Sequence, residues 1–326
     1  MPPLDSEDIY IISRNSNWSA PGVEKALKDH VYNTPSAWQK FLHWVFISLG
    51  IGFTTAGILF FFAYNWASLH KFVKIGLIEG LLVIIALLIV FTRLHLTAKN
   101  ILLTAIAVLM GVLMAVFGQV YQTGANAYDL FLSWTLAITL WVLIANFAPL
   151  WLLYIILING TLILYAEQVA KDWPGTLIFL LLFLLNSACL ALSMLINKFR
   201  PSLQPPAWFS IILALGAVTT ATFGMFNGIF GHRNPAFIFL ILSVGICYTA
   251  GFFYGLQRKS LFYLALIAFS VIIILSFFFI KLSDGAGMFL FTSLFVIACV
   301  TILIKKLIDT QKKWSLEMST QTTTIP

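Results

Sequence analysis

The sequence predicts an all-α fold, a polytopic integral membrane bundle of about ten transmembrane helices with a short N-terminal helical segment. Three observations predict it: the composition, a series of apolar runs of span length, and the uneven placement of Lys and Arg between alternate loops. Apolar residues make up 60% of the chain and charged residues 10%, against about 25% charged in a soluble domain. Water cannot solvate a fold with that much apolar surface, so lipid is the expected solvent.

The apolar runs fall at 42–65, 75–92, 101–120, 128–146, 149–166, 175–197, 208–230, 236–256, 261–280 and 288–304. Each has the length a helix rising about 1.5 Å per residue needs to cross a hydrocarbon core of about 30 Å. None alternates in the manner of a barrel strand. The narrowest division is Asn146-Phe147-Ala148, after which Pro149 suits a first helical turn. The implied organisation is a cytoplasmic helical segment over 1–41, a membrane domain over 42–304 and a basic cytoplasmic tail over 305–326.

Orientation follows from the basic residues. Fourteen of the nineteen Lys and Arg residues lie on the side of the N-terminus, among them Arg14, Lys40, Arg93, Lys99, Lys198, Arg258 and Lys305. The other side has Lys71, Lys74, Lys171, Arg233 and Lys281. Cytoplasmic loops are enriched in Lys and Arg, so both termini are expected in the cytoplasm. The formal charge of +7 reads as topology. No basic stripe with interleaved aromatics suggests nucleic acid, and the N-terminus is not a secretory signal. Trp44, Trp66, Trp151, Trp173 and Trp208 fall near span ends, where an aromatic belt sits.

In the N-terminal segment, Ser19-Ala20-Pro21-Gly22 reads as a helix start. Val23, Ala26, Leu27 and Val31 then share a face, opposite the i,i+4 pair Glu24 and Lys28. A piece this small cannot build its own core and is expected to dock on the membrane domain, on the bilayer or on a partner.

Small residues four apart mark close helix contacts: Ser48, Gly52 and Ala56 in the first span, Ala107, Gly111, Ala115 and Gln119 in the third, Gly216, Thr220, Gly224 and Gly228 in the seventh. The three cysteines, Cys189, Cys247 and Cys299, lie in apolar runs and read as packing residues. His30, His43, His70, His95 and His232 form no spaced pair. No metal or cofactor is expected, and no HExxH, GxSxG or Walker-type loop appears.

The carboxylates within the membrane domain, Glu79, Asp129, Glu167, Asp172 and Asp284, all fall toward the outer ends of spans or in outer loops. Glu79 lies about one turn inside the second run, and Asp129 opens the fourth. A carboxylate in a span is costly and usually faces protein or a wet cavity. Between the third and fourth runs stands Phe117-Gly118-Gln119-Val120-Tyr121-Gln122-Thr123-Gly124-Ala125-Asn126-Ala127-Tyr128-Asp129. A plain turn needs glycine and asparagine but not two glutamines and two tyrosines. Glu79, Gln119, Tyr121, Gln122, Asn126 and Asp129 are therefore the candidates for an outward-facing polar cavity. An interfacial turn whose amides satisfy frayed helix ends explains the same residues and stays open beside it.

Three stretches carry a resemblance. They are Ile9-Tyr10-Ile11-Ile12 through Ser19-Ala20-Pro21-Gly22-Val23-Glu24, Gly50-Ile51-Gly52 to Ala63-Tyr64-Asn65-Trp66, and Phe117-Gly118-Gln119-Val120-Tyr121-Gln122 followed by Asp129-Leu130-Phe131-Leu132-Ser133-Trp134. In them the chain resembles the bacterial predicted membrane proteins grouped as domain of unknown function 2157. The resemblance implies a bacterial membrane protein, placed here in the cytoplasmic membrane, and no activity. Three functions are open: a transporter or lipid-handling protein, a non-catalytic scaffold or envelope-complex subunit, and an intramembrane enzyme pairing Glu79 with Asp129. The expected partners are the lipid bilayer, a small-molecule or lipid ligand and a membrane-protein partner.

Overall fold

The computed structural model describes residues 66–199, 205–232, 234–282 and 285–322, together with 19, 21–24, 27, 38, 39, 41–43, 45, 46, 49, 50, 53, 60 and 64. Two compact units divide the chain, Met1–Lys74 and Ile75–Pro326.

In the first unit, Gly22 and Val23 donate their N–H groups to Ser19 O at 2.8 and 3.1 Å, the start of a helix at Pro21. Leu27 on the expected apolar face is buried; Ala26 and Val31 lie outside the described residues. So do most of the first predicted span and its small face of Ser48, Gly52 and Ala56. The residues described within that span, from Leu42 to Tyr64, are helical. A short 3-10 turn, Trp66–Ser68, follows, and the Lys74 ammonium lies 5.5 Å from the Trp66 ring.

Nine long apolar helices follow among the described residues: α1 Lys71–Phe91, α2 Leu96–Tyr121, α3 Ala127–Ala145, α4 Ala148–Gln168, α5 Gly175–Phe199, α6 Ala207–Phe230, α7 Pro235–Gln257, α8 Leu261–Leu282 and α9 Ala286–Thr322. They occupy the places of the second to tenth predicted spans, and each is long and apolar enough to cross a membrane. The breaks have local causes. Asn146 adopts the left-handed conformation (φ 42°) and Pro149 sits in the first turn of α4, which makes the narrowest division a real one. Asn234 caps α7 by accepting the N–H of Ala236 at 2.9 Å, with Pro235 next to it.

The second unit is held by layered side chains. Ala107, Ile138, Val142, Leu150 and Leu157 join α2, α3 and α4. Leu180, Phe183, Ala217, Ala221, Leu240, Val244 and Tyr248 join α5, α6 and α7. Ile155, Phe209 and Leu213 link α4 to α6. The seventh-span glycines serve as close contacts: a Cβ on Gly224 would lie 2.9 Å from both Leu240 and Phe179, and one on Gly228 would lie 2.0 Å from the Phe237 ring. On α2 the small face divides. Ala107 and Gly111 are buried against α3, while Ala115 and Gln119 are exposed. Large apolar side chains remain outside, such as Phe91 at 78% and Ile144 at 79% exposure, as lipid-facing residues do.

Three helices depart furthest from the predicted bounds. α1 begins at Lys71 rather than 75, α2 begins at Leu96 rather than 101, and α9 continues helical through the basic tail to Thr322 instead of ending near 304. Ile78 and Ile85 are the buried residues of α1.

Candidate functional site

An open cavity of about 800 Å³ lies between α1, α2 and α3. Glu79 enters from α1, Gln119 from the last turn of α2, Thr123 from the connection, and Asn126, Asp129 and Ser133 from α3. Met110, Leu113, Met114 and Phe117 make the apolar part of the wall. A second, apolar cavity of about 430 Å³ continues along α1, and Met110 borders it as well.

Of the six residues singled out from the sequence, four line the cavity: Glu79, Gln119, Asn126 and Asp129. Because α1 starts at Lys71, Glu79 stands about two turns into its helix, deeper than one turn. Asp129 accepts the N–H of Asn126 at 3.0 Å, the carboxylate half of a capping box at the start of α3. Its position is therefore set by the helix end, and its second oxygen remains for the cavity. Tyr121 and Gln122 are not among the lining residues. Tyr121 packs on Phe117 with ring centroids 4.6 Å apart. Gln122 ends α2 in the left-handed conformation, φ 47°, with its N–H on Gly118 O.

That conformation costs an L-residue about 1–2 kcal/mol and glycine nothing. Gln122→Gly is thus expected to raise the thermal midpoint of the purified protein and Gln122→Val to lower it. If the two midpoints match, the left-handed cap is not a determinant of stability.

Thr123 and Ser133 are the polar side chains among the described lining residues that sequence reading missed. Ser133 carried a signal, since it stands four residues after Asp129 and so on the same helix face. The neighbouring helix end is tied to the site: Tyr128 donates its N–H to Gln168 Oε1 at 2.9 Å, and its ring meets Tyr165, which in turn meets Trp173.

Among the described lining residues there is no Lys, Arg or His. The cavity offers two carboxylates, two amides and two hydroxyls beside an apolar wall. Such a set suits a cation or a neutral hydrogen-bonding group with an alkyl part and disfavours an anion. Among the described residues, no three His, Cys, Asp or Glu side chains gather where they could hold a metal ion.

Helices of this length, apolar on their outer faces and connected by short turns, define a polytopic helical membrane protein, and a lipid bilayer is its environment. Residues 21–151 match the family described as Predicted membrane protein (DUF2157), so the resemblance read from the sequence is shown over that stretch. The match takes in Pro21–Glu24 of the first resembling stretch and all of the second and third; it contains every described residue lining the cavity. No curated protein and no solved structure matches the chain.

Proposed function

We propose that this protein is a transporter or lipid-handling protein of a bacterial cytoplasmic membrane, with both termini in the cytoplasm and its polar cavity open to the outer side. The observation that carries this reading is the cavity of about 800 Å³ to which three separate helices bring Glu79, Gln119 and Asp129. A simple interhelical turn does not require a carboxylate from α1. The cavity adjoins the helix ends whose loops have the fewer Lys and Arg residues, which supports an outward opening. Its ligand is an amphiphile with a cationic or neutral polar group, since polar groups crowd one end and the apolar cavity beyond Met110 continues toward the other.

The test is thiol labelling in intact cells, on a chain with Cys189, Cys247 and Cys299 replaced. Single cysteines go in as Glu79→Cys, Gln119→Cys, Gln122→Cys, Asn126→Cys and Asp129→Cys, and the reagent is membrane-impermeant. Glu79→Cys and Gln119→Cys are expected to label from outside. Labelling confined to Gln122→Cys and Asn126→Cys sinks the wet cavity and moves the protein to the class of scaffold or envelope-complex subunit.

A further inference from the structure

Another cavity, of about 950 Å³, opens between α6, α7 and α8 at the ends of α6 and α8 and the start of α7. Its walls are apolar, with Ile238 and Ile241 on α7 facing Ile274 and Phe278 on α8. The floor is fixed by Gly228, whose lack of a Cβ admits the Phe237 ring. Two polar groups are among the described lining residues. Lys281, in the last turn of α8, is the charged one of them, and Asn234, at the cap of α7, is the other.

A lysine at a helix C-terminus needs no ligand to account for it. This one, however, leans across to α6, with its ammonium 5.7 Å from the Phe230 ring, so that the charge stands at the mouth of the cleft. Asn234 uses its Oδ1 on the N–H of Ala236 and keeps its NH2 group as donor. Among the described residues lining the cleft there is no Asp or Glu. A greasy slot with a cation and an amide donor at its membrane-boundary end matches a molecule that is apolar along most of its length and anionic at one end.

We propose that this cleft holds one phospholipid with an anionic headgroup, an acyl chain between α7 and α8 and the phosphate at Lys281 and Asn234. The site is separate from the α1–α3 cavity and opposite in charge, so neither proposal rests on the other.

The experiment is native mass spectrometry of the full chain, titrated with phosphatidylglycerol and with phosphatidylcholine of the same acyl chains. The unmodified protein is expected to retain one phosphatidylglycerol with a preference of about fivefold over phosphatidylcholine, the size of effect one lysine exerts near anionic headgroups. Lys281→Gln should bring the two lipids to equal retention. Ile241→Trp, which fills the slot and leaves the charge, should lower retention of both. Lys281 and Ile241 are exposed side chains, so neither change removes core packing. Equal retention of the two lipids by the unmodified protein, a preference that survives Lys281→Gln, or retention untouched by Ile241→Trp overturns the proposal.

Discussion

Gly111→Ala is expected to destabilise the protein by about 1–3 kcal/mol, the usual cost of forcing a methyl into a packed contact. A Cβ on Gly111 would lie 2.3 Å from Trp134 Cε2, and two further ring atoms lie within 2.5 Å. The indole is not free to swing away. Its Nε1–H donates to Ala107 O at 2.7 Å, one turn back along the same helix face, and its ring packs edge-on against Phe131. The α2–α3 contact must open, and with it the wall of the cavity that Ala115 and Gln119 continue. Thermal melting of the detergent-solubilised chain measures the loss. Gly245→Ala is the control, because nothing lies within 4 Å of a Cβ there. Ala in place of an unencumbered helical Gly is expected to gain about 0.5–1 kcal/mol. Opposite signs for the same chemical change would locate the cost in the Trp134 contact. Equal midpoints would show that α3 rides on α2 without that contact. Trp134→Leu in the Gly111→Ala background should recover part of the loss.

The nine helices from α1 onward were legible because an apolar run of span length has few other structures to enter. Their ends were legible only where residues act locally. Asn146 and Pro149 mark a break by backbone conformation, and the structure breaks there. Lys71 and Lys74 read as loop charges, yet they lie within α1, where their long stems let the ammonium groups reach aromatic rings, Phe72 and Trp66 respectively. Past Ile304 hydropathy reports where lipid contact ends, not where the helix ends. No Gly or Pro lies between Ile304 and Thr322, and α9 continues. In the candidate site, Glu79, Gln119, Asn126 and Asp129 stood out as polar groups in an apolar frame. Gln119 and Tyr121 could not be told apart, since two positions on a helix differ by about 200° and only the neighbours decide which faces the cavity. The partner of Gly111 was equally hidden, for nothing in the small-residue spacing names Trp134.

Least legible of all was a pair inside the apolar runs, and it supports the other large prediction. Asn159 on α4 and Asn186 on α5 exchange amide hydrogen bonds, with Asn186 Nδ2 on Asn159 Oδ1 at 2.7 Å and Asn159 Nδ2 on Asn186 Oδ1 at 3.4 Å. Each also donates to its own helix, Asn159 to Ile155 O and Asn186 to Leu182 O. Gly216 on α6 lies alongside, so the pair sits where three helices meet. In the membrane such bonds are worth about 0.6 kcal/mol on average and up to about 1.7. A buried amide stripped of its partner costs about 1–3 kcal/mol. Asn186→Leu and Asn159→Leu alone are each therefore expected to destabilise by about 1–2 kcal/mol, since each strands the other amide. The double variant should lose less than the sum of the two, by about 1 kcal/mol, because no stranded amide remains. Unfolding of the three variants and the parent in mixed micelles gives the coupling. A sum that is strictly additive would mean that the two amides are satisfied by their own helices and that the α4–α5 contact rests on the surrounding apolar side chains.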